Sequence, residues 1–287
     1  MCPIEWYDTL YFAPAPPGPV ALACRWEGDS SEARVRSPVL PEGADNIVVR
    51  AIELLRDSVG VRRGAHLRLV KRIPLAAGLG GGSSDAAAAL VAANVAWGLG
   101  LSRSALGELA ARLGSDVPFF LQGGPAVCHG RGELVEPVAD WPPLHLVVAC
   151  PGDGLSTAEV YRACRATHRP RRAADVLHAV RGRGAEQAAP LLYNALAPVA
   201  ARLSDSVERL QQHFGSLDFL GHEMSGSGTS YFGLCRSGRH ARRLATGLRA
   251  AGLGAVHCVR SRGSISPVKE NDRGNHRGSH QAHGRGG

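Results

Sequence analysis

Lysine is almost missing from this sequence: of 33 lysine and arginine residues, only Lys71 and Lys269 are lysine. Aromatic side chains are sparse as well, at 5%. No run approaches the roughly 18 to 20 apolar residues that cross a bilayer, and Met1-Cys2-Pro3-Ile4-Glu5 has neither the basic nor the apolar stretch of a secretion signal. No membrane partner is therefore expected, and the expected location is cytoplasmic. The seven cysteines (Cys2, Cys24, Cys128, Cys150, Cys164, Cys235 and Cys258) never form a C-x-x-C pair, which argues against zinc and dithiol frameworks and predicts reduced, mostly buried thiols. Two common nucleotide signatures are missing too. Gly82 is followed by Ser83-Ser84-Asp85 rather than the Lys-Ser/Thr of a Walker A loop, and Ser83 stands where a Rossmann fingerprint needs its third glycine.

What is present describes a globular chain. Its 287 residues are 44% hydrophobic and 20% charged, enough apolar material for a core and, at roughly 150 residues per domain, for two domains. The formal charge of +8 would attract polyanions. The arginines between Arg162 and Arg183 and near the C-terminus read as solvated basic surface, and no nucleic-acid partner is expected.

The alternation from His66 to Ile73 predicts a strand entering Pro74, and the alanine-rich run Ala86 to Trp97 predicts a helix. Ser102 is placed to cap a second helix carrying Leu106, Leu109, Ala110 and Leu113, with Gly114 at its exit. Trp141-Pro142-Pro143 interrupts regular structure before a strand at 144–149. Helices are expected at 204–213 and 239–251, extended segments at 230–235 and 255–261. The domain reading is 1–141, 142–262, and a polar glycine-rich tail, 263–287, expected to be disordered.

Three segments carry chemistry. Gly78, Gly80, Gly81 and Gly82, followed by two serines at a helix start, bring backbone amides and a helix dipole toward an anion with little side-chain bulk in the way. Gly114-Ser115-Asp116-Val117-Pro118 places a carboxylate between a helix end and an apolar turn; alone, Asp116 reads first as a cap. The loop Met224 to Ser230 is a second small-residue turn. Two such loops with an acid between them suggest a cleft whose walls hold opposite ends of a phosphorylated ligand.

Together, Pro74 to Ala89, Gly114 to Leu121 and Ser225 to Ser230 resemble the motifs of the GHMP kinase superfamily, over about residues 45 to 261 and starting at Asp45-Asn46. The wording of the first two motifs, with Ser156-Thr157-Ala158-Glu159-Val160-Tyr161, is similar to members acting on a cytidine diphosphate-linked methylerythritol rather than on homoserine, mevalonate or galactose. The resemblance implies an α+β (mixed α/β) fold of two domains with the active-site cleft between them. It also implies ATP and Mg2+ as cofactors, transfer to the 2-hydroxyl of that substrate on the non-mevalonate route to isopentenyl diphosphate, and a monomer or homodimer. By the same resemblance, Pro74, Leu75, Ala76, Ala77, Gly78, Leu79, Gly80, Gly81, Gly82, Ser83 and Ser84 wrap the ATP phosphates. Ser225, Gly226, Ser227, Gly228 and Thr229 enclose the site, and Asp116 takes the proton of the acceptor hydroxyl. The Ser84 hydroxyl either touches magnesium or caps the helix. Tyr161 either stacks on cytosine or packs in the core, the core being preferred.

The resemblance also has gaps. Its opening Pro-Ala-Lys-x-Asn strand and the Asp-Gly-Tyr/Phe-His that follows are not in this sequence, and Asp8-Thr9-Leu10 matches the stretch just beyond them. A start placed too late, a deletion that removes activity, and contacts supplied from elsewhere are the three readings. The first is preferred because the loop glycines stay in register, and a longer version is expected to fold more stably and turn over faster. The alternatives to this function are another GHMP small-molecule kinase, or a catalytically impaired nucleotide-binding relative.

Overall fold

A computed structural model describes residues 1–27, 39–165 and 172–263. The tail expected to be disordered lies, from residue 264, outside the described residues. So does part of the arginine-rich stretch, 166–171.

The first sheet has three strands in the order β1-β3-β2: β1 (Thr9–Pro17), β2 (Val20–Trp26) and β3 (Arg63–Lys71). β3 runs antiparallel to β1 and parallel to β2. Pro14, Pro16 and Pro17 lie on β1, an outer strand, where a missing N–H breaks no central ladder. Among the described residues no strand pairs with the outer side of β1 or β2. Ala65, Leu67 and Leu69 alternate along β3 into a core shared with α1 (Ile47–Val59), α2 (Gly81–Ala96) and α3 (Arg103–Leu113). Asn46 caps α1 by accepting the Val48 amide at 2.8 Å. Ser102 caps α3 by accepting the Ala105 amide at 3.2 Å. The alanines of α2 let it lie close against α1, β1 and the short helix α4 (Val117–Gln122). A hairpin of β4 (Ala126–His129) and β5 (Leu134–Pro137) follows.

After Pro142-Pro143 the chain enters a second sheet through β6 (His145–Cys150). Helices α5 (Thr157–Ala163), α6 (Ala173–Arg183), α7 (Ala185–Ala188), α8 (Ala197–Leu203) and α9 (Asp205–Gly215) come next. β7 (Gly221–Met224), β8 (Tyr231–Cys235), α10 (Gly238–Ala250) and β9 (Ala255–Arg260) complete the unit. The sheet order is β7-β8-β6-β9, with every pairing antiparallel. Its core gathers Val147, Leu210, Phe214, Tyr231 and Leu248. The first residues of the chain, grouped by sequence with the first unit, lie along this second sheet: Ile4 bridges Ser261, and the Glu5 amide donates to the Arg260 carbonyl at 2.8 Å.

The cysteines differ from expectation. All seven are free, but only Cys150 and Cys235 are buried. Positions such as Cys24 and Cys258 fall on outer strands, where one side of the pleat meets solvent.

Candidate active site

The strand, glycine loop and helix follow one another as the sequence predicts. Between β3 and α2 the backbone turns through left-handed conformations at Ala76 (φ 50°), Gly78 (φ 71°) and Gly80 (φ 68°). Gly80 is the N-cap of α2 and supplies no side-chain hydrogen bond, so the first-turn amides lack a side-chain cap. The Ser84 amide already donates to the Gly80 carbonyl at 2.9 Å. That leaves the positive end of a 16-residue helix open to an anion.

The glycines have separate reasons. A Cβ on Gly78 would overlap the Ser225 carbonyl oxygen, and one on Gly80 would lie 2.7 Å from the Phe120 ring. A Cβ on Gly81 would stand 2.9 Å from Ile73 and 3.4 Å from the Lys71 Nζ. Only Gly82 has room, its nearest neighbour being Ile47 at 3.8 Å. Three of the four glycines thus serve protein packing, and Gly82 alone faces free space.

The second loop is not the opposite wall of an open cleft. It sits directly on the first: the Ser225 hydroxyl donates to the Gly78 carbonyl at 2.9 Å and the Ser230 amide donates to the Ala77 carbonyl at 3.1 Å. Nor is it a free turn, because the Thr229 hydroxyl donates to the Asp153 carbonyl at 2.6 Å and Ser227 hydrogen-bonds Thr157 at 2.9 Å. The Asn194 side chain donates to the carbonyls of Met224 and Gly226.

Asp116 precedes α4 but makes no side-chain capping bond there. Its outer face is open to solvent, yet surrounding protein desolvates the carboxyl enough to raise its pKa. Among the described residues no cation pairs with it. A Cβ on Gly132, in the β4–β5 turn, would be 3.6 Å from its Oδ1. Phe120, four residues further along the chain, is the ring against Gly80, so α4 connects the Asp116 segment to the glycine loop. Tyr161, expected in the core, is 62% exposed, and the Asp116 charge contributes to raising its phenol pKa, behind burial. Ser84 is not the helix cap; its hydroxyl donates to the Gly81 carbonyl at 2.7 Å, leaving oxygen lone pairs available.

Sequence reasoning missed what lies beneath the loop. Lys71, 2% exposed, donates to Asp8 and, at 2.7 Å, to Asp85. Asp8 also accepts the amides of Arg72 and Ile73. Burial, with Asp8 adding to it against the pull of Lys71, pushes the Asp85 pKa up to about 7. The available signal was the lone lysine among the described residues, set where the alternation of β3 breaks into consecutive buried positions.

GHMP kinase N-terminal domains match residues 46–124, and GHMP kinase C-terminal domains match residues 176–253. The chain belongs to the GHMP kinase family. It is 45% identical to 4-diphosphocytidyl-2-C-methyl-D-erythritol kinase of Pelotomaculum thermopropionicum, over 86% of this chain and 83% of that protein. The enzyme of the same name from Shouchella clausii is 38% identical over 88% of this chain and 86% of its own. Among solved structures, a 4-(cytidine 5'-diphospho)-2C-methyl-D-erythritol kinase is 34% identical with a TM-score of 0.73, covering 91% of this chain and 88% of that one. A homoserine kinase from Cytophaga hutchinsonii shares the fold, with a TM-score of 0.69 at 17% identity over 90% of this chain and 87% of its own. The two-domain α+β architecture of this GHMP kinase is therefore that of its relatives.

Proposed function

We propose that this GHMP kinase transfers the γ-phosphoryl group of ATP to the 2-hydroxyl of 4-diphosphocytidyl-2-C-methyl-D-erythritol, in the cytoplasm, as a step toward isopentenyl diphosphate. What supports the proposal is a partly desolvated Asp116 that pairs with no cation among the described residues, together with the uncapped start of α2, in a chain 45% identical to a kinase named for that substrate.

Phosphoryl transfer asks a protein for positioning and charge stabilisation. The polyphosphate docks on the amides at the start of α2, with Gly82 leaving the space it occupies. Pro74 to Gly80 form the wall that Ser225 to Gly228 brace from behind. Asp116 accepts the hydroxyl proton as the oxygen attacks, and its raised pKa makes it a better base than an ordinary carboxylate. Exposed Tyr161, on the side of the second sheet, offers a face on which cytosine stacks.

Among the described residues no cluster of three His, Cys, Asp or Glu could hold a metal ion. This suits Mg2+, which usually arrives on nucleotide phosphates and keeps much of its water; the Ser84 oxygen is the protein contact on offer. When bound, Mg2+ spreads the phosphate charge.

Phosphate transfer from labelled ATP to the cytidine substrate, lost in Asp116→Ala, is the expected result. One observation favours a second reading, a nucleotide-binding relative without turnover: Lys71, the only lysine among the described residues, is buried and already paired with Asp8 and Asp85. ATP binding with no labelled product would favour that reading.

A further inference from the structure

Asn194 has no part in the motifs, yet its side-chain amide donates twice into the second loop. Nδ2 donates to the Gly226 carbonyl at 2.7 Å and to the Met224 carbonyl at 2.9 Å, while Oδ1 accepts the Leu196 amide at 2.9 Å. Two carbonyl acceptors on one side and an N–H donor on the other fix the orientation of the amide. Its own backbone N–H donates to Glu223 Oε2 at 3.2 Å, so the residue is anchored to β7, the strand that feeds the loop. Gly226 in turn is left-handed (φ 57°), and a Cβ there would be 2.9 Å from the Gly78 carbonyl oxygen. From Asn194 through Gly226 to Gly78 there is an unbroken line of contact, ending on the 74–84 loop.

We propose that Asn194 is a positioning residue for nucleotide binding: by holding the Met224 and Gly226 carbonyls it fixes how far the 225–228 loop closes on Gly78, and so the shape of the 74–84 loop. The inference rests on ATP docking at 74–84. Aspartate is the informative replacement, because it keeps the shape and the bond from Leu196 while turning both donations into oxygen–oxygen repulsion.

The test is steady-state kinetics of the full chain with Asn194→Asp and Asn194→Ala, beside binding of a non-hydrolysable ATP analogue and urea unfolding. Loss of two hydrogen bonds predicts that the KM for ATP rises roughly five- to thirty-fold. The rise is larger in Asn194→Asp than in Asn194→Ala, while the KM for the cytidine substrate changes little; the urea midpoint falls in both variants, because the lost bonds lie within the folded chain. An unchanged ATP KM in both variants overturns the inference, as does an equal rise in both KM values, the mark of general loosening. If the wild-type chain binds no ATP analogue at all, the proposed function itself fails and this inference with it. Should the variants not fold, hydrogen exchange on the wild-type chain decides: the analogue is expected to protect the amides of 225–228, and absence of protection overturns the inference.

Discussion

Lys71 and Asp85, which stand at the two ends of the glycine segment, are joined by a 2.7 Å ion pair with both side chains buried. The pair ties the end of β3 to the first turns of α2, and Asp8 completes it from the chain's first segment. Burial, with a second carboxylate on the same ammonium adding to it against the pull of Lys71, raises the Asp85 pKa to about 7.

The stability of the protein should therefore carry a slope with pH. A carboxyl whose pKa is raised in the folded state binds its proton more tightly there than in the unfolded chain. Its contribution is greatest below the ordinary carboxylate pKa, declines as pH rises toward about 7, and is flat beyond. Asp85→Asn removes that contribution, so the difference between variant and wild-type unfolding free energies should grow by at most about 1.4 kcal/mol per pH unit between pH 5 and 7. Urea titrations at pH 5, 6, 7 and 8 check this; parallel curves for the two proteins would show that Asp85 is ionised throughout.

Removing the cation should be far more damaging. Lys71→Met removes the pull that keeps Asp85 ionisable, so Asp85 takes up a proton and Asp8 is left as the buried charge without its cation, at a cost of about 3–5 kcal/mol. Adding Asp85→Asn to it should restore part of that loss, because the amide is neutral without the proton uptake that Asp85 needs on folding. A double-mutant cycle by chemical denaturation measures the coupling, and additive effects would mean that the three groups do not act as a unit.

The line from strand through glycine loop to α2 was legible because each step has a local signature: period two, then glycine, then an alanine run. The caps at Ser102 and the break at Pro142 were legible for the same reason. Lys71 and its partners were not, because Asp8 lies 63 positions away and no local period links them. The packing duties of Gly78, Gly80 and Gly81 depend on Ser225, Phe120 and Ile73, contacts that only the folded chain brings together. Tyr161 was misplaced in the core because an aromatic residue in a short helix looks the same from sequence whether its face is inward or outward.

Asp116 should set the acid limb of the rate profile. The proposed base must be ionised, so kcat falls as pH drops through its pKa, and partial burial moves that limb above the pH expected for an ordinary carboxylate. Asp116→Asn should lower kcat by about 10²- to 10⁴-fold while the KM for ATP stays near the wild-type value. A variant with wild-type kcat would remove Asp116 from the chemistry.

Gly82 and Gly78 should respond to alanine in opposite ways. At Gly82 the added methyl meets only Ile47, at 3.8 Å, inside a helix whose backbone suits alanine, so the fold should gain up to about 1 kcal/mol. The same methyl enters the space proposed for the polyphosphate, and the KM for ATP should rise by about tenfold or more. At Gly78 the methyl overlaps the Ser225 carbonyl on a left-handed backbone, so Gly78→Ala should lower stability before any question of nucleotide arises. Thermal melts and ATP titrations of the two variants separate these effects. A Gly82→Ala protein that is both more stable and fully able to bind ATP would place the polyphosphate away from the start of α2.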